Sequence, residues 1–349
     1  MVRNFTPKKI IRYWLLTGVV MVIIQIVLGG ITRLTESGLS ITEWNVVMGT
    51  LPPMNQQAWQ QEFDHYRQSP QGEIMNADMT LSGFKNIFWW EFIHRLWARL
   101  FMPVFLIPLF FFIYKKWIDK KLLRGLVAVF VLGALQGLLG WYMVSTGLVN
   151  VPWVSPYSLC AHLLLATVLL MCLFWMALQQ RDEAYPVQKN ALSKWMPWIC
   201  VLLFIQLGLG AFMAGGVAPA AIWFPTWPMI GDTWIPSTTF QMQNNWHTLL
   251  ENPAFVQLLH RNLAYALVIL IFIVWRNSRK ISLHFKTRRG LLLLMLFVLM
   301  QALLGILTVI NSSGHVPVLL GVLHQLNGFF TFLSALYVWY HAAIKVEVN

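Results

Sequence analysis

The sequence has few charged side chains and very few cysteines. Only 11% of its 349 residues are charged, and 13 are Asp or Glu. A soluble globular domain carries about 25% charged residues, so this composition excludes an ordinary soluble protein. The cysteines, Cys160, Cys172 and Cys200, all lie within apolar runs, which argues against outer-loop disulfides and favours a packing role.

Apolar residues make up 58% of the chain and are concentrated in long runs. A run of about 18 or more apolar residues can cross the hydrocarbon core as a helix. The predicted spans are roughly Tyr13–Ile31, Phe88–Tyr114, Leu122–Thr146, Leu159–Leu178, Trp195–Ala214, Phe255–Trp275, Leu291–Ile310 and Val318–His341. We therefore predict an all-α integral membrane protein with eight transmembrane helices. The first run lacks a small-residue cleavage site and is expected to be retained.

The net charge of +12 is unevenly distributed along the chain. Basic residues cluster at the amino terminus and in every second connection, whereas residues 215–259 contain no Lys or Arg. By the positive-inside rule, both termini and the basic connections are expected on the cytoplasmic side. This topology accounts for the positive charge, so we expect no nucleic-acid partner.

The outer side is predicted to carry two long connections. In the first, Trp59 and Phe63 are four residues apart, which predicts a short amphipathic helix lying on the membrane surface. The second, from Gly215 to Pro253, is rich in Trp and Pro. It indicates either a structured cap or an aromatic belt at the headgroup layer.

An internal repeat runs through the membrane helices. The pattern Gln-x-x-Leu-Gly occurs at Gln25–Gly29, Gln136–Gly140, Gln206–Gly210 and Gln301–Gly305, near the outer end of each odd-numbered span. Each even-numbered span carries a histidine at the same level, and His94-Arg95 matches His260-Arg261. The pattern predicts a parallel duplication into two pseudo-symmetric four-helix bundles, residues 1–180 and 181–349.

The histidines of the even-numbered spans are the main candidate ligands: His94, His162, His260 and His324. An ionisable side chain at membrane depth is costly and usually functional. One such residue is also explained by a hydrogen bond to a backbone carbonyl, but four at one level are not. Two imidazoles in each half fall short of the usual four ligands of zinc, whereas haem needs only two axial ligands. We predict that these histidines bind haem iron.

Polar neighbours of the histidines extend this prediction. Arg95, Arg99 and Arg261 lie at the outer ends of helices, where they are expected to pair with haem propionates or to reach lipid headgroups. Glu91 lies three residues before His94, whereas the second half has Gln257 at the same position. A carboxylate here suits a proton donor or acceptor, or a group that orients a ligand. The asymmetry predicts that one half performs chemistry while the other holds a resident haem.

The remaining histidines do not follow the repeat. His65, His247, His284, His315 and His341 fall in loops or at helix ends. We predict that they are surface residues.

Several long motifs resemble the haem A synthase family. They are Gly29 to Trp44, Leu51-Pro-Pro53, Glu91-Phe-Ile-His-Arg95, Gly140-Trp-Tyr-Met-Val144, Glu251-Asn252, Val256-Gln-Leu-Leu-His-Arg261 and His324-Gln325. The similarity covers essentially the whole chain. Without a cysteine pair in the first outer loop, the chain resembles the subgroup of bacteria and mitochondria that lacks this disulfide.

The resemblance implies a reaction and a set of roles. Members oxidise the C8 methyl group of haem O to a formyl group by successive hydroxylations, giving haem A for cytochrome c oxidase. Matching positions imply that His94 and His162 line the substrate site, that His260 and His324 ligate a haem b, and that Glu91 is the catalytic carboxylate. The implied setting is the bacterial plasma membrane and its lipid, with haem O synthase, an unidentified electron donor and a possible homo-oligomer as partners.

Two other classes remain open from the residues. An electron-carrying cytochrome b would also bind haem through paired histidines, but transfer across a membrane needs haems at both depths. A transporter for haem or another small molecule would also have repeated halves, but the sequence contains no evident inner-facing polar site.

Overall fold

The computed structural model describes residues 6–43, 48–149, 152–181, 190–216, 219–241 and 246–343. Within these ranges the chain forms eleven α-helices, and a bridge between Ile230 and Thr233 is its only recorded β feature. The helices are α1 (Pro7–Leu34), α2 (Gln56–Arg67), α3 (Pro70–Ile74), α4 (Leu81–Tyr114), α5 (Lys120–Gly147), α6 (Pro156–Gln179), α7 (Ala191–Ala214), α8 (Ala220–Trp223), α9 (Pro253–Ser278), α10 (Phe285–Ile310) and α11 (Val318–Ala342). Short 3₁₀ turns cover Met48–Thr50 and Trp246–Glu251.

Eight of these helices are long and apolar enough to cross a membrane: α1, α4, α5, α6, α7, α9, α10 and α11. Each contains one predicted span and extends it at one or both ends, so the prediction of an eight-helix membrane protein is confirmed. The extensions follow from capping residues that the apolar runs do not include. Thr6, for example, accepts a hydrogen bond from the backbone N–H of Lys9, and Pro7 starts α1 where no N–H is needed.

The helix α4 is longer than a bilayer requires. Its 34 residues span about 51 Å, whereas the hydrocarbon core is about 30 Å thick. Its amino-terminal part, on the side that the charge distribution predicts to be the outer one, is therefore long enough to project beyond the hydrocarbon core. This projection provides a surface on which the first outer connection folds.

The helix α2 confirms the predicted amphipathic segment but corrects its position. The Phe63 ring packs 5.3 Å from the ring of Phe84, and the Trp59 ring lies 4.9 Å from that of Phe88. Tyr66, on the same helix, is completely buried. The aromatic face of α2 is therefore covered by the projecting part of α4 instead of lying in the lipid headgroups, because protein aromatics bury it more completely.

Helix contacts follow the same pattern in both parts of the chain. The helix α1 packs against α4 and α6, and α5 packs against α6. In the same order, α7 packs against α9 and α11, and α10 packs against α11. Contacts of α1 with α11, α6 with α7, and α6 with α11 join the two sets. This pattern fits two related four-helix bundles that meet through their first and last membrane helices.

Polar contacts also cross between the two sets of helices. The Arg33 guanidinium, at the outer end of α1, donates from Nη2 to the carbonyl of Gly216 across 3.0 Å. Gln325, next to His324, donates to the carbonyl of Ile26 at 3.4 Å. The three cysteines are free thiols in α6 and α7, and two of them are buried, as the packing prediction requires.

Candidate functional site

Each repeated glutamine lies beside the histidine of the next membrane helix. In three of the four repeats, the glutamine side-chain nitrogen donates to the histidine backbone carbonyl: Gln25 to His94 at 3.2 Å, Gln136 to His162 at 3.0 Å and Gln206 to His260 at 3.0 Å. In the fourth, the side-chain nitrogen of Gln301 lies 3.2 and 3.3 Å from the two ring nitrogens of His324. The sequence marked these glutamines only as members of a repeat. The structure shows that their amides hold the candidate ligands.

The glycine of each repeat makes room for the same histidine. A methyl group placed on Gly29 would come 3.2 Å from the Cε1 atom of His94, and one on Gly140 would come 3.2 Å from that of His162. In the second half, the distance would be 3.6 Å from Gly210 to His260 and 2.9 Å from Gly305 to His324. Contacts below about 3.4 Å are crowded, so three of the four positions accept a larger residue only if the ring moves. The motif Gln-x-x-Leu-Gly is therefore a cradle for an imidazole.

The histidines of the second half form a pair suited to one iron. The ring centroids of His260 and His324 are 6.3 Å apart, with the planes inclined by 71°. An imidazole nitrogen binds a metal at about 2 Å and lies about 1 Å from its own ring centroid, so two axial imidazoles have centroids about 6 Å apart. The observed separation fits a haem held between α9 and α11.

The histidines of the first half, His94 on α4 and His162 on α6, lie in glycine cradles of the same design. All four histidines keep partly accessible surfaces between the helices. Within the described part of the chain, no group of three or more His, Cys, Asp or Glu side chains is arranged to hold a metal ion. Paired imidazoles are thus the candidate metal ligands in both halves.

Glu91 is buried, and both of its carboxylate oxygens accept hydrogen bonds. Its Oε1 atom accepts a hydrogen bond from Arg95 at 2.6 Å. Its Oε2 atom accepts from the Ser40 hydroxyl at 2.7 Å and from the backbone N–H of Ile41 at 2.8 Å. The carboxylate therefore fastens the segment after α1 to the outer part of α4.

The corresponding amide, Gln257, makes equivalent contacts with Arg261 and with the second outer connection. Its Oε1 atom accepts from Arg261, and its Nε2 atom donates to the carbonyl of Ala220 at 2.6 Å. The first connection thus presents donors to a carboxylate, whereas the second presents a carbonyl acceptor to an amide. The Glu-to-Gln difference between the halves is matched by the chemistry of the loops.

The arginines that we predicted as propionate partners mainly hold these loops. Arg95 donates to the carbonyls of Ile41 and Glu43 at 2.9 and 3.2 Å. Arg261 donates to the carbonyls of Met229 and Phe224 at 3.0 and 3.4 Å. Propionate binding by these residues stays a prediction, and it would have to use or exchange donors that already anchor the outer connections. The second connection is therefore a structured cap on α9.

Arg95 and Arg99 line a cavity of about 200 Å³ beneath the first outer connection. Its walls include Leu51, Pro52, Pro53, Phe88, Phe92, Glu43 and Glu62. Ligand pockets usually have volumes of about 300–1,000 Å³, so this cavity is too small for a whole porphyrin. Burial raises the pKa of the Glu62 carboxyl, and the neighbouring charge of Glu43 raises it further.

The prediction for the other histidines is wrong at one position. His65 and His315 are exposed, and His284 is partly exposed, whereas His247 lies outside the residues whose burial is described. His341 is only 2% exposed, and its Nδ1 atom lies 2.8 Å from the carbonyl of Tyr337. Arg181 hydrogen-bonds its Nε2 atom. Arg181, which follows α6, and Thr287 of α10 both contact this end of α11 and help to bury it.

Comparison with known proteins places this geometry in a family. A family model described as cytochrome oxidase assembly protein matches residues 12–336. The chain belongs to this family. It is 41% identical to a haem A synthase of Parvibaculum lavamentivorans over 95% of this chain and 93% of the relative. It is 38% identical to one from Nitrosospira multiformis over 96% and 94%, and 40% identical to one from Nitrosomonas eutropha over 94% and 92%.

The family match includes both halves of the site. Residues 12–336 contain all four cradled histidines, Glu91 and the arginines that hold the outer connections. The similarity therefore covers the chemistry-bearing residues as well as the helices that position them. Family membership makes cytochrome oxidase assembly the biological context of the site.

Proposed function

We propose that this protein is a haem A synthase that oxidises the C8 methyl group of haem O to a formyl group by successive hydroxylations. The observation that carries the proposal is the pairing of cradled histidines in a chain of this family. The product, haem A, is destined for cytochrome c oxidase. The substrate and the resident cofactor are both haems, which accounts for two sites of one design.

In the first half, we assign His94 and His162 to the substrate haem O. The ring of His94 lies against Gly29 and that of His162 lies against Gly140, so both face the interior of their bundle. A bound haem supplies the iron at which this oxidation takes place. The helices exclude bulk water and fix the orientation of the substrate.

In the second half, we assign His260 and His324 to a resident haem b that carries electrons. Their 6.3 Å separation supports ligation from both sides. The side-chain amides of Gln206 and Gln301 lie within 3.4 Å of the ring nitrogens. Ligands restrained in this way suit a cofactor that stays in place while electrons pass through it.

Glu91 is assigned a proton-handling role. It is the carboxylate of the ion pair next to His94, and the second half has an uncharged amide instead. A proton accepted at Oε2 would be shared with the hydroxyl of Ser40, a residue of the first outer connection. We assign Arg95, Arg99 and Arg261 to the propionate side of the haems, where Arg95 and Arg261 also secure the loops.

The cellular setting completes the proposal. The protein is a multi-pass membrane protein with eight apolar helices. We place it in the bacterial plasma membrane, with both termini in the cytoplasm according to the positive-inside rule. Haem O synthase would supply the substrate, and an electron donor of unknown identity would supply electrons. The mass of the protein in detergent tests whether it forms a homo-oligomer.

The test is to express the protein together with haem O synthase and to separate the extracted haems by chromatography. Haem A should appear beside haem b, and it should disappear when haem O synthase is omitted. Recovery of haem b alone, at two sites per chain, would favour an electron-carrying cytochrome. A colourless protein under ample haem supply would overturn the whole proposal.

A further inference from the structure

Three of the four histidine rings are restrained by a glutamine amide. The Nε2 atom of Gln25 lies 3.3 and 3.1 Å from the two ring nitrogens of His94. The same contacts measure 3.1 and 3.4 Å between Gln206 and His260, and 3.2 and 3.3 Å between Gln301 and His324. An amide in this position limits both the rotation and the displacement of the ring.

The ring of His162 is the exception. Gln136, its partner in the repeat, donates to the His162 backbone carbonyl at 3.0 Å. The Nδ1 atom of His162 is buried and has no hydrogen-bond partner in the described part of the chain. Gly140, which the ring faces in the cradle, offers no polar group from a side chain. The imidazole of His162 is therefore the least restrained of the four.

The difference falls within the half that we assign to the substrate. Polar contacts to a metal-bound histidine restrain its orientation, and their loss typically weakens metal binding about 10–100-fold. His94 has such a contact on its ring, whereas His162 does not. A haem bound between them would have one firm and one weak axial ligand. In the second half, both rings are restrained.

We propose, on the basis of the function proposed above, that His94 is the permanent axial ligand of the first-half haem and that His162 is the exchangeable one. An iron held by two imidazoles has no position for another ligand. Withdrawal of His162 opens a position for a small external ligand and also lets the haem enter and leave. The second-half haem, gripped on both sides, stays closed to such ligands.

The test uses the full-length protein in detergent, loaded with haem O, and compares His162→Ala with His94→Ala. His162→Ala should retain the first-half haem, turn it high-spin, and let the reduced form bind carbon monoxide. His94→Ala should bind haem O at least about tenfold more weakly. The low-spin absorption of the second-half haem, measured in the same samples, reports whether each variant is folded. Equal losses in the two variants, or the reverse order, would overturn the assignment.

A milder pair of variants tests whether the glutamine contact with the ring causes the difference between His94 and His162. Gln25→Leu removes the contact with the His94 ring, so it should weaken haem O binding by about 10–100-fold. Gln136→Leu removes only a contact with the backbone of His162, so it should weaken binding clearly less. Equal effects would contradict the role of the ring contact. If the wild-type protein binds haem O and makes haem A while these results fail, only the ligand assignment falls. If it binds no haem O, the proposed function falls with it.

Discussion

Arg95 donates a hydrogen bond to Glu91 one helical turn away, across 2.6 Å, and both side chains are nearly buried. Arg261 and Gln257 form the same contact in the second half. The arginine is therefore a shared element that holds an outer connection, and the charge on its partner is the difference. A buried ion pair is costly to form, so its presence in only one half points to a use beyond loop attachment.

The variant Glu91→Gln tests whether the Glu91 carboxylate has a role beyond attaching the loop. The amide still accepts from Arg95, but its NH2 group would face the Ser40 hydroxyl and the Ile41 N–H, which are both donors to the native carboxylate. We expect the variant to lose up to about 3 kcal/mol of stability, to keep its haems and to form no formyl product. Chromatography of extracted haems, with absorption spectra of the purified protein, measures these effects separately.

Gln257→Glu is the matched control for this variant. Its new carboxylate would face the carbonyl of Ala220, so the second outer connection should loosen and become more sensitive to protease. Haem A formation should persist in this variant. If Glu91→Gln still makes haem A at the wild-type rate, the carboxylate only attaches a loop.

The sequence predicted the membrane helices and the histidines because both produce long-range regularities. Apolar runs define the helices, and the repeat of Gln206 and His260 sets the level of the site. It did not predict the contacts of Ser40 or Ile41 with Glu91, since hydrogen bonds between distant segments leave no periodic pattern. The sequence analysis placed α2 on the lipid surface. Trp59 and Phe63 indicate an apolar helix face, but their spacing does not show whether lipid or another helix covers that face.

Glu62 gives a pH-dependent prediction in the outer region. Burial raises the pKa of its carboxyl in the folded protein, with a further contribution from Glu43. The folded state therefore favours the protonated form, and stability falls as pH rises from the unfolded to the folded pKa. Glu62→Gln should raise the thermal unfolding midpoint at pH 8 but have little effect near pH 4.

Asp78→Asn, at an exposed position in the same connection, controls for the loss of one negative charge. It should leave the midpoint nearly unchanged at both pH values. A benefit of Glu62→Gln that persists fully in acid would show that the burial of charge is not its cause.

Gly305→Ala tests the histidine cradle. The added methyl group would lie 2.9 Å from Cε1 of His324, which is closer than van der Waals contact allows. We expect the ring to shift and the low-spin spectrum of the second-half haem to weaken or change. Gly137→Ala is the control, because its methyl group would meet nothing within 4 Å. Since Ala favours helix by about 1 kcal/mol over Gly, the control should be neutral or stabilising.

Asn327 supports the His324 ligand through Gln301. Its Nδ2 atom donates to the Gln301 Oε1 atom at 2.8 Å and to the carbonyl of Phe297 at 2.9 Å. The corresponding oxygen atoms of Gln25, Gln136 and Gln206 are buried without a recorded partner. Gln301 is thus the most firmly held of the four amides. This support is consistent with a haem that remains permanently bound in the second half.

Asn327→Leu should therefore free the Gln301 amide and loosen His324 without removing either residue. We expect the second-half haem to bind about tenfold more weakly, as is typical when a group behind a metal ligand is lost, and its reduction potential to shift. Redox titration and haem retention during dilution measure the two effects. Asn262→Leu is the control, because among the described residues the exposed Asn262 side chain hydrogen-bonds only to the carbonyl of Leu258 on its own helix. Equal changes in both variants would show that Asn327 acts through general packing, because only Asn327 contacts the amide that holds the ligand.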